Sequence, residues 1–159
     1  MIPQIVEHES RHVRILNLLA RVAADIPNPH KTRIAAAIVF RGEVISLGVN
    51  QKKTHPFQAR YSKNPDSVYL HAETAAIKNA LKYLKPDQLT ECSLYVCRVK
   101  FFDTSKKRML FGIAKPCAGC MKCMKRFGIK EIIYSLDGDD YSVGGFAAID
   151  LLDFSHVDC

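Results

Sequence analysis

No stretch of the 159 residues is apolar over anything near the roughly 20 positions that a membrane-spanning helix needs. Met1–Ser10 carries Glu7 and Glu9 and no apolar core, so it does not read as a secretory leader. A cytoplasmic location without a membrane partner is the expectation. The six cysteines, at 92, 97, 117, 120, 123 and 159, lack the spacing of a disulfide framework and suit a reducing compartment. No internal repeat, low-complexity segment or linker interrupts the chain. It reads as a single domain over 1–159, long enough to bury a real core.

Lys and Arg are also missing from residues 131–159, which hold seven acids. The cations lie upstream. Residues 100–130 carry nine (Lys100, Lys106, Lys107, Arg108, Lys115, Lys122, Lys125, Arg126 and Lys130) against Asp103 alone. The formal net charge is +7. Such a segment either serves a phosphate-bearing ligand or is a solvated basic face followed by an acidic tail.

Periodicity supplies the elements. Val13, Leu16, Leu19, Ala20 and Ala23 recur at helical steps, predicting a first helix over about 7–24, closed by Pro27 and Pro29. Residues 33–40 read as a buried strand, and Val44–Val49 returns as its hairpin partner across Arg41-Gly42-Glu43. A polar connection over 51–70 has the length of a lid or binding loop, with Lys52, Lys53, His55, Arg60 and Tyr61 as candidate substrate contacts. A second helix is expected over 72–84, its inner face Ala75, Ala76, Ala80 and Leu84, stopped by Pro86. Ser93–Val99 alternates as a third strand, and Arg108–Ala114 could pair back on it as a ribbon. A third helix is expected from Pro116 to Phe127 with Gly128 as its cap. Glu131–Ser135 reads as a strand and Gly145–Phe154 as a last helix. This order implies an α/β fold, a three-layer α-β-α sandwich around a mixed central sheet.

Two short stretches carry chemistry: His71-Ala72-Glu73 and Pro116-Cys117-Ala118-Gly119-Cys120. A catalytic zinc takes three protein ligands and keeps one position for water, and His71, Cys117 and Cys120 supply such a set. Cys117 and Cys120 would sit one turn apart at a helix start, where the dipole favours thiolates. Glu73 can face the metal without binding it and carry protons. The alternative is a closed zinc knuckle or a pair of reduced core cysteines. Against it, no second C-x-x-C or H-x-x-x-H is present to complete a closed site. Cys123, a further turn along, reads as structural.

With these two motifs the chain resembles the cytidine deaminase superfamily, and within it deoxycytidylate (dCMP) deaminases. Gly48-Val49-Asn50, Ala75-Ala76-Ile77, the run Gly128–Ser135 and Tyr141 extend the resemblance over roughly 33–152. It implies a cytidine deaminase-like fold, a Zn2+ cofactor, a homo-oligomer and hydrolytic deamination of a small nucleotide, dCMP first, with Glu73 as proton shuttle. It also implies that Asn50 holds the sugar, that backbone beside Ala72 meets the pyrimidine, and that Tyr134 belongs to the substrate site. Lys52, Lys53 and Arg60 are the loop cations for its phosphate. Residues 100–115 stand between the third strand and the Pro-Cys pair, where the family usually passes almost directly. Two other readings stay open. One is a deaminase of single-stranded nucleic acid or of another base or nucleoside, with Phe101, Phe102 and Phe111 available for stacking. The other is a non-catalytic zinc-stabilised binding module.

Overall fold

The structure is a computed structural model. It describes residues 2–26, 33–51, 60, 71–101, 109–138 and 145–151, with backbone alone for 2–10. Helix α1 (Ile2–Ala24) precedes the hairpin β1 (Arg33–Phe40) and β2 (Glu43–Val49). Helix α2 (Ala72–Ala80) and a 3-10 turn (Pro86–Glu91) lead to β3 (Cys92–Phe101) and β4 (Met109–Gly112). Helix α3 (Ala118–Phe127), β5 (Glu131–Ser135) and β6 (Phe146–Asp150) complete the order. No described helix is long and apolar enough to cross a membrane.

The sheet runs β2-β1-β3-β5-β6, with β4 also on β3. The β3–β5 pair is parallel, as a strand-helix-strand crossover requires, and the other pairs are antiparallel. The two faces of the sheet bury separate clusters. Leu16, Leu19, Ala20 and Ala23 of α1 cover Ala35, Ala37, Tyr95, Cys97 and Ile133. On the other face, α2 and α3 cover Ala36, Ile38, Leu94, Val96 and Ile132. Three layers result, as the alternation of strand and helix patterns implies.

Of the expected ribbon, Met109–Gly112 lies at the edge of β3 as β4, with Arg108 outside the described residues. There β5 pairs with Ser93–Val96, and β4 continues along Arg98–Phe101. Ser135 closes the seam between them, accepting from Arg98 N–H at 3.1 Å and donating to the Gly112 carbonyl at 2.7 Å.

Three expectations are corrected. The segment expected as a last helix is the strand β6, paired with β5 from Glu131↔Asp150 to Ser135↔Phe146. Ala147 and Ile149 pack inward while Ala148 and Asp150 are exposed, a two-residue period that supports an edge strand. Helix α2 ends at Ala80 and passes into turns, so Leu84 is only half-buried. Helix α3 begins at Ala118, because Cys117 is its N-cap and Pro116 lies outside it.

The close approach of β2 and α2 depends on Gly48. A Cβ there would lie 2.4 Å from both Ala72 O and Ala76 N, which are backbone atoms that cannot swing aside. Ser46, on the same strand face, donates to Ala76 O at 2.7 Å. Gly48→Ala is therefore expected to cost at least about 3 kcal/mol, the upper end for overpacking. Denaturant titration would measure the loss, and unchanged stability would show that α2 has room to move.

Candidate metal centre

Because β1 is antiparallel to both neighbours, β2, β3 and β5 all point their carboxyl ends the same way. Helix α2 packs its first turn on Gly48, near the end of β2. The approach to α3 is tied to the end of β5, with Ala114 N–H donating to Ser135 O at 3.0 Å. Both helices thus start at one end of the sheet. His71 and Cys117, 46 residues apart, meet there.

His71 is the N-cap residue of α2, with extended backbone (φ −79°, ψ 160°), and its carbonyl accepts from Ala75 N–H and Thr74 Oγ1. Its Nδ1 lies 3.3 Å from Cys120 Sγ and 3.6 Å from Cys117 Sγ. Cys117, also extended (φ −71°, ψ 169°), caps α3 by accepting the Cys120 N–H at 3.5 Å. The three ligand atoms all lie within 4.8 Å of one another. Tetrahedral zinc, with bonds of about 2.0–2.1 Å to nitrogen and 2.3 Å to sulfur, has ligand-to-ligand edges of roughly 3.5–3.8 Å. The donor set and its spacing fit that ion. Cys120 is fully buried and His71 half-buried, while Cys117 is the exposed corner.

Electrostatics distinguish the two thiols. Hydrogen bonding from Cys120 pulls the Cys117 thiol down to about 3, with His71 and the Cys120 N–H assisting. The same contact pushes the Cys120 thiol up, and burial adds to it. His71 is raised chiefly by its hydrogen bond with Cys117, against burial. The cluster holds one thiolate readily, which is the form a metal takes.

Glu73 follows in the first turn of α2. It is 5% exposed, and its carboxyl shares a hydrogen bond with Cys120. Burial raises its pKa, against hydrogen bonding to its own N–H and the charge of His71. Such a carboxyl, beside a metal set and outside it, can hold a proton. Cys123 is buried in the apolar cluster under α2 and α3, its thiol pushed up to about 12 mainly by burial.

The other expected residues divide. Asn50 extends the β1–β2 ladder by a rung: its N–H donates to Ile34 O at 3.2 Å and its Oδ1 accepts from Ile34 N–H at 2.9 Å. Ala72 is buried with its carbonyl against Gly48, and no side-chain hydrogen bond from His71 caps the α2 N-terminus. Tyr134, on β5, belongs to the cluster that holds Ala72 and Cys120. Arg60 lies elsewhere. It lines a cavity of about 1100 Å3 with Lys122, Lys125 and Arg126 of α3, none of the three metal-ligand candidates among its walls. Lys52, Lys53, His55, Tyr61, Phe102, Lys106, Lys107, Arg108 and Tyr141 fall outside the described residues. One residue on this face escaped the sequence reading: Arg98, the third inward position after Leu94 and Val96 on β3. Its signal was a cation at an apolar step of the alternation.

Comparison with known proteins agrees with this geometry. The family model for the cytidine and deoxycytidylate deaminase zinc-binding region matches residues 7–136. A dCMP deaminase from the cyanophage S-TIM5 in apo form superposes with a TM-score of 0.50 at 18% identity, covering 82% of this chain and 83% of that one. The same phage enzyme in complex with dCMP and dUMP gives 0.48 at 20% identity, over 84% and 82%. Acinetobacter baumannii RibD gives 0.43 at 14% identity, over 82% of this chain and 28% of that one. Among curated proteins, none matches the sequence. The match over 7–136 spans β1 to β5 and both Cys-bearing and His-bearing turns, so the chain belongs to the zinc-binding cytidine and deoxycytidylate deaminase family.

Proposed function

We propose that this enzyme hydrolyses the 4-amino group of a cytosine nucleotide, dCMP to dUMP, with His71, Cys117 and Cys120 as zinc ligands and Glu73 as proton carrier. One observation supports this reading above the rest: Nδ1 of His71 and both sulfurs converge beside a buried carboxyl that is not one of them. Zinc held there would acidify a water enough to make it a nucleophile near neutral pH. Glu73 then moves two protons in turn. It accepts one from the attacking water and delivers it to N3 of the ring, then accepts the second from the new C4 hydroxyl and delivers it to the departing amine. Water and cytosine become uracil and ammonia. Backbone beside Ala72, at the start of α2, would receive a pyrimidine carbonyl, since no side-chain bond from His71 caps that end. Asn50, its carboxamide oriented by Ile34, would hold the sugar.

The test is ammonia release from dCMP, dCTP, cytidine, guanine and a short single-stranded oligonucleotide. The highest kcat/KM is expected for dCMP. A specific observation favours a second reading, action on single-stranded nucleic acid: Arg60, Lys122, Lys125 and Arg126 line one cavity between α3 and the 3-10 turn, with Asp87 as the acid among its walls. A Lys122→Ala/Lys125→Ala/Arg126→Ala variant is expected to leave dCMP turnover within about twofold. If it instead abolishes a salt-sensitive affinity for oligonucleotide together with oligonucleotide turnover, these cations read a polymer backbone.

A further inference from the structure

Strand β3 alternates without interruption. Tyr95, Cys97 and Val99 face α1, while Leu94 and Val96 face α2 and α3 in the cluster that includes Cys120 and Tyr134. Arg98 is the next position on the second face. It lies beyond Val96, at the carboxyl end of β3, the end at which His71, Cys117 and Cys120 gather. Ligands of open α/β sheets are bound outside the carboxyl ends of strands.

Opposite Arg98 on β4 is Gly112. A Cβ there would come within 3.2 Å of Arg98 Cδ and 3.4 Å of Cγ. Lys100 Cε would lie at 3.1 Å from the same Cβ, so the stems of Arg98 and Lys100 both lie over the ribbon at this glycine. Its backbone N–H is used by Ser135 Oγ. Its Nε, however, is buried and has no hydrogen-bond partner among the described residues. The ion pair present among those residues joins Arg41 to Glu91, not Arg98 to an acid. A buried donor on a permanently charged group is costly to leave unmade, and native proteins seldom leave one. Arginine also presents its donors as a planar fork suited to phosphate oxygens. The connection that follows Arg98 returns through Ala114, buried in the same cluster as Cys120, to Pro116 and Cys117. The cation is thus built onto the same connection that delivers two of the metal-ligand candidates.

We propose that Arg98 is a specificity-determining residue that binds the phosphate of the substrate nucleotide, through the donor edge that carries its unpartnered Nε. This inference rests on the nucleotide reading above and adds to it the residue that distinguishes nucleotide from nucleoside.

The experiment compares dCMP with deoxycytidine as substrates of the zinc-loaded wild type, Arg98→Met and Arg98→Lys. Ammonia release is read alongside melting temperature. Arg98→Met is expected to lower kcat/KM for dCMP by about ten- to a hundred-fold, the scale of one lost charge-assisted contact. Deoxycytidine should change by less than about twofold. Arg98→Lys keeps the charge without the fork, so its dCMP-to-deoxycytidine ratio should fall between the two. If Arg98→Met does not fold, the ratio in Arg98→Lys decides alone: a value equal to wild type overturns the proposal. Equal losses on both substrates would make Arg98 a structural residue, partnered within the protein, and also overturn it. A wild-type ratio near one would remove the nucleotide reading and Arg98's role with it. A high wild-type ratio that Arg98→Met leaves intact would remove the role of Arg98 alone.

Discussion

Glu73→Gln is expected to fold and bind zinc as wild type does while losing turnover by about two to four orders of magnitude, the usual contribution of a positioned acid-base group. Glutamine keeps the size of the side chain and can still share a hydrogen bond with Cys120. It cannot accept the water proton or return one to the leaving amine. Fold and stability should not suffer. Burial raises the Glu73 pKa in the metal-free protein, so its ionised form opposes folding above the ordinary carboxylate range. Removing that charge should leave the metal-free variant melting at or above wild type at pH 7. Metal analysis, thermal melts and ammonia release together test the assignment. Retention of more than a few percent of wild-type rate would sink it, and so would loss of zinc in parallel with rate.

The fold was legible wherever burial repeated with a clear period. The stripe from Leu16 to Ala23 can only be a one-sided helix, and Ile34–Phe40 followed by a Gly turn can only return on itself. The return of the chain onto β3 was expected over 108–114, and Met109–Gly112 makes it as β4. The error at Gly145–Phe154 has a physical cause. Phe146-Ala147-Ala148-Ile149 is too short to distinguish a helical from a strand period, and the free edge of β5 decides the matter by hydrogen bonding. That edge is a tertiary fact. The start of α3 was displaced by two residues because Pro116 looked like a first helical residue. In the fold the Cys117 sulfur takes the capping role from Cys120 N–H, and caps of this kind need coordinates.

The site was legible in its chemistry and partly hidden in its surroundings. His71, Glu73, Cys117 and Cys120 were found because few other arrangements of those residue types have a use at that spacing. Arg60 was grouped with the loop that leads into His71, yet it lines a cavity with α3 cations, since sequence proximity does not say where a loop turns. Arg98 does not stand out by segment, since the dense basic run begins only at Lys100. Counted by strand face, it is a charged residue at the apolar step after Leu94 and Val96. Gly48 showed only as part of a short motif, whereas its reason is that a Cβ there would lie 2.4 Å from the α2 backbone.

Cys117→Ala and Cys123→Ala should separate a ligand from a core residue with the same substitution, six residues apart in one segment. Zinc should fall from about one per chain to near zero in Cys117→Ala after dialysis against a moderate chelator, because a catalytic site holds its ion by three protein ligands. The exposed position of Cys117 means that its loss removes little packing. The variant should therefore keep its secondary structure when the metal goes. Cys123→Ala should behave in the opposite way. Its sulfur is fully buried beneath α2 and α3 and lies outside the group that could hold an ion. Burial pushes its thiol up to about 12, so it stays protonated and a poor ligand at neutral pH. Trimming it should cost about 0.5–1.5 kcal/mol of stability, comparable to other one-atom core deletions, with zinc retained. Equal zinc loss in the two variants would mean that Cys123 is a fourth ligand. The centre would then be closed, with no position left for water, and the structural zinc reading would replace the catalytic one.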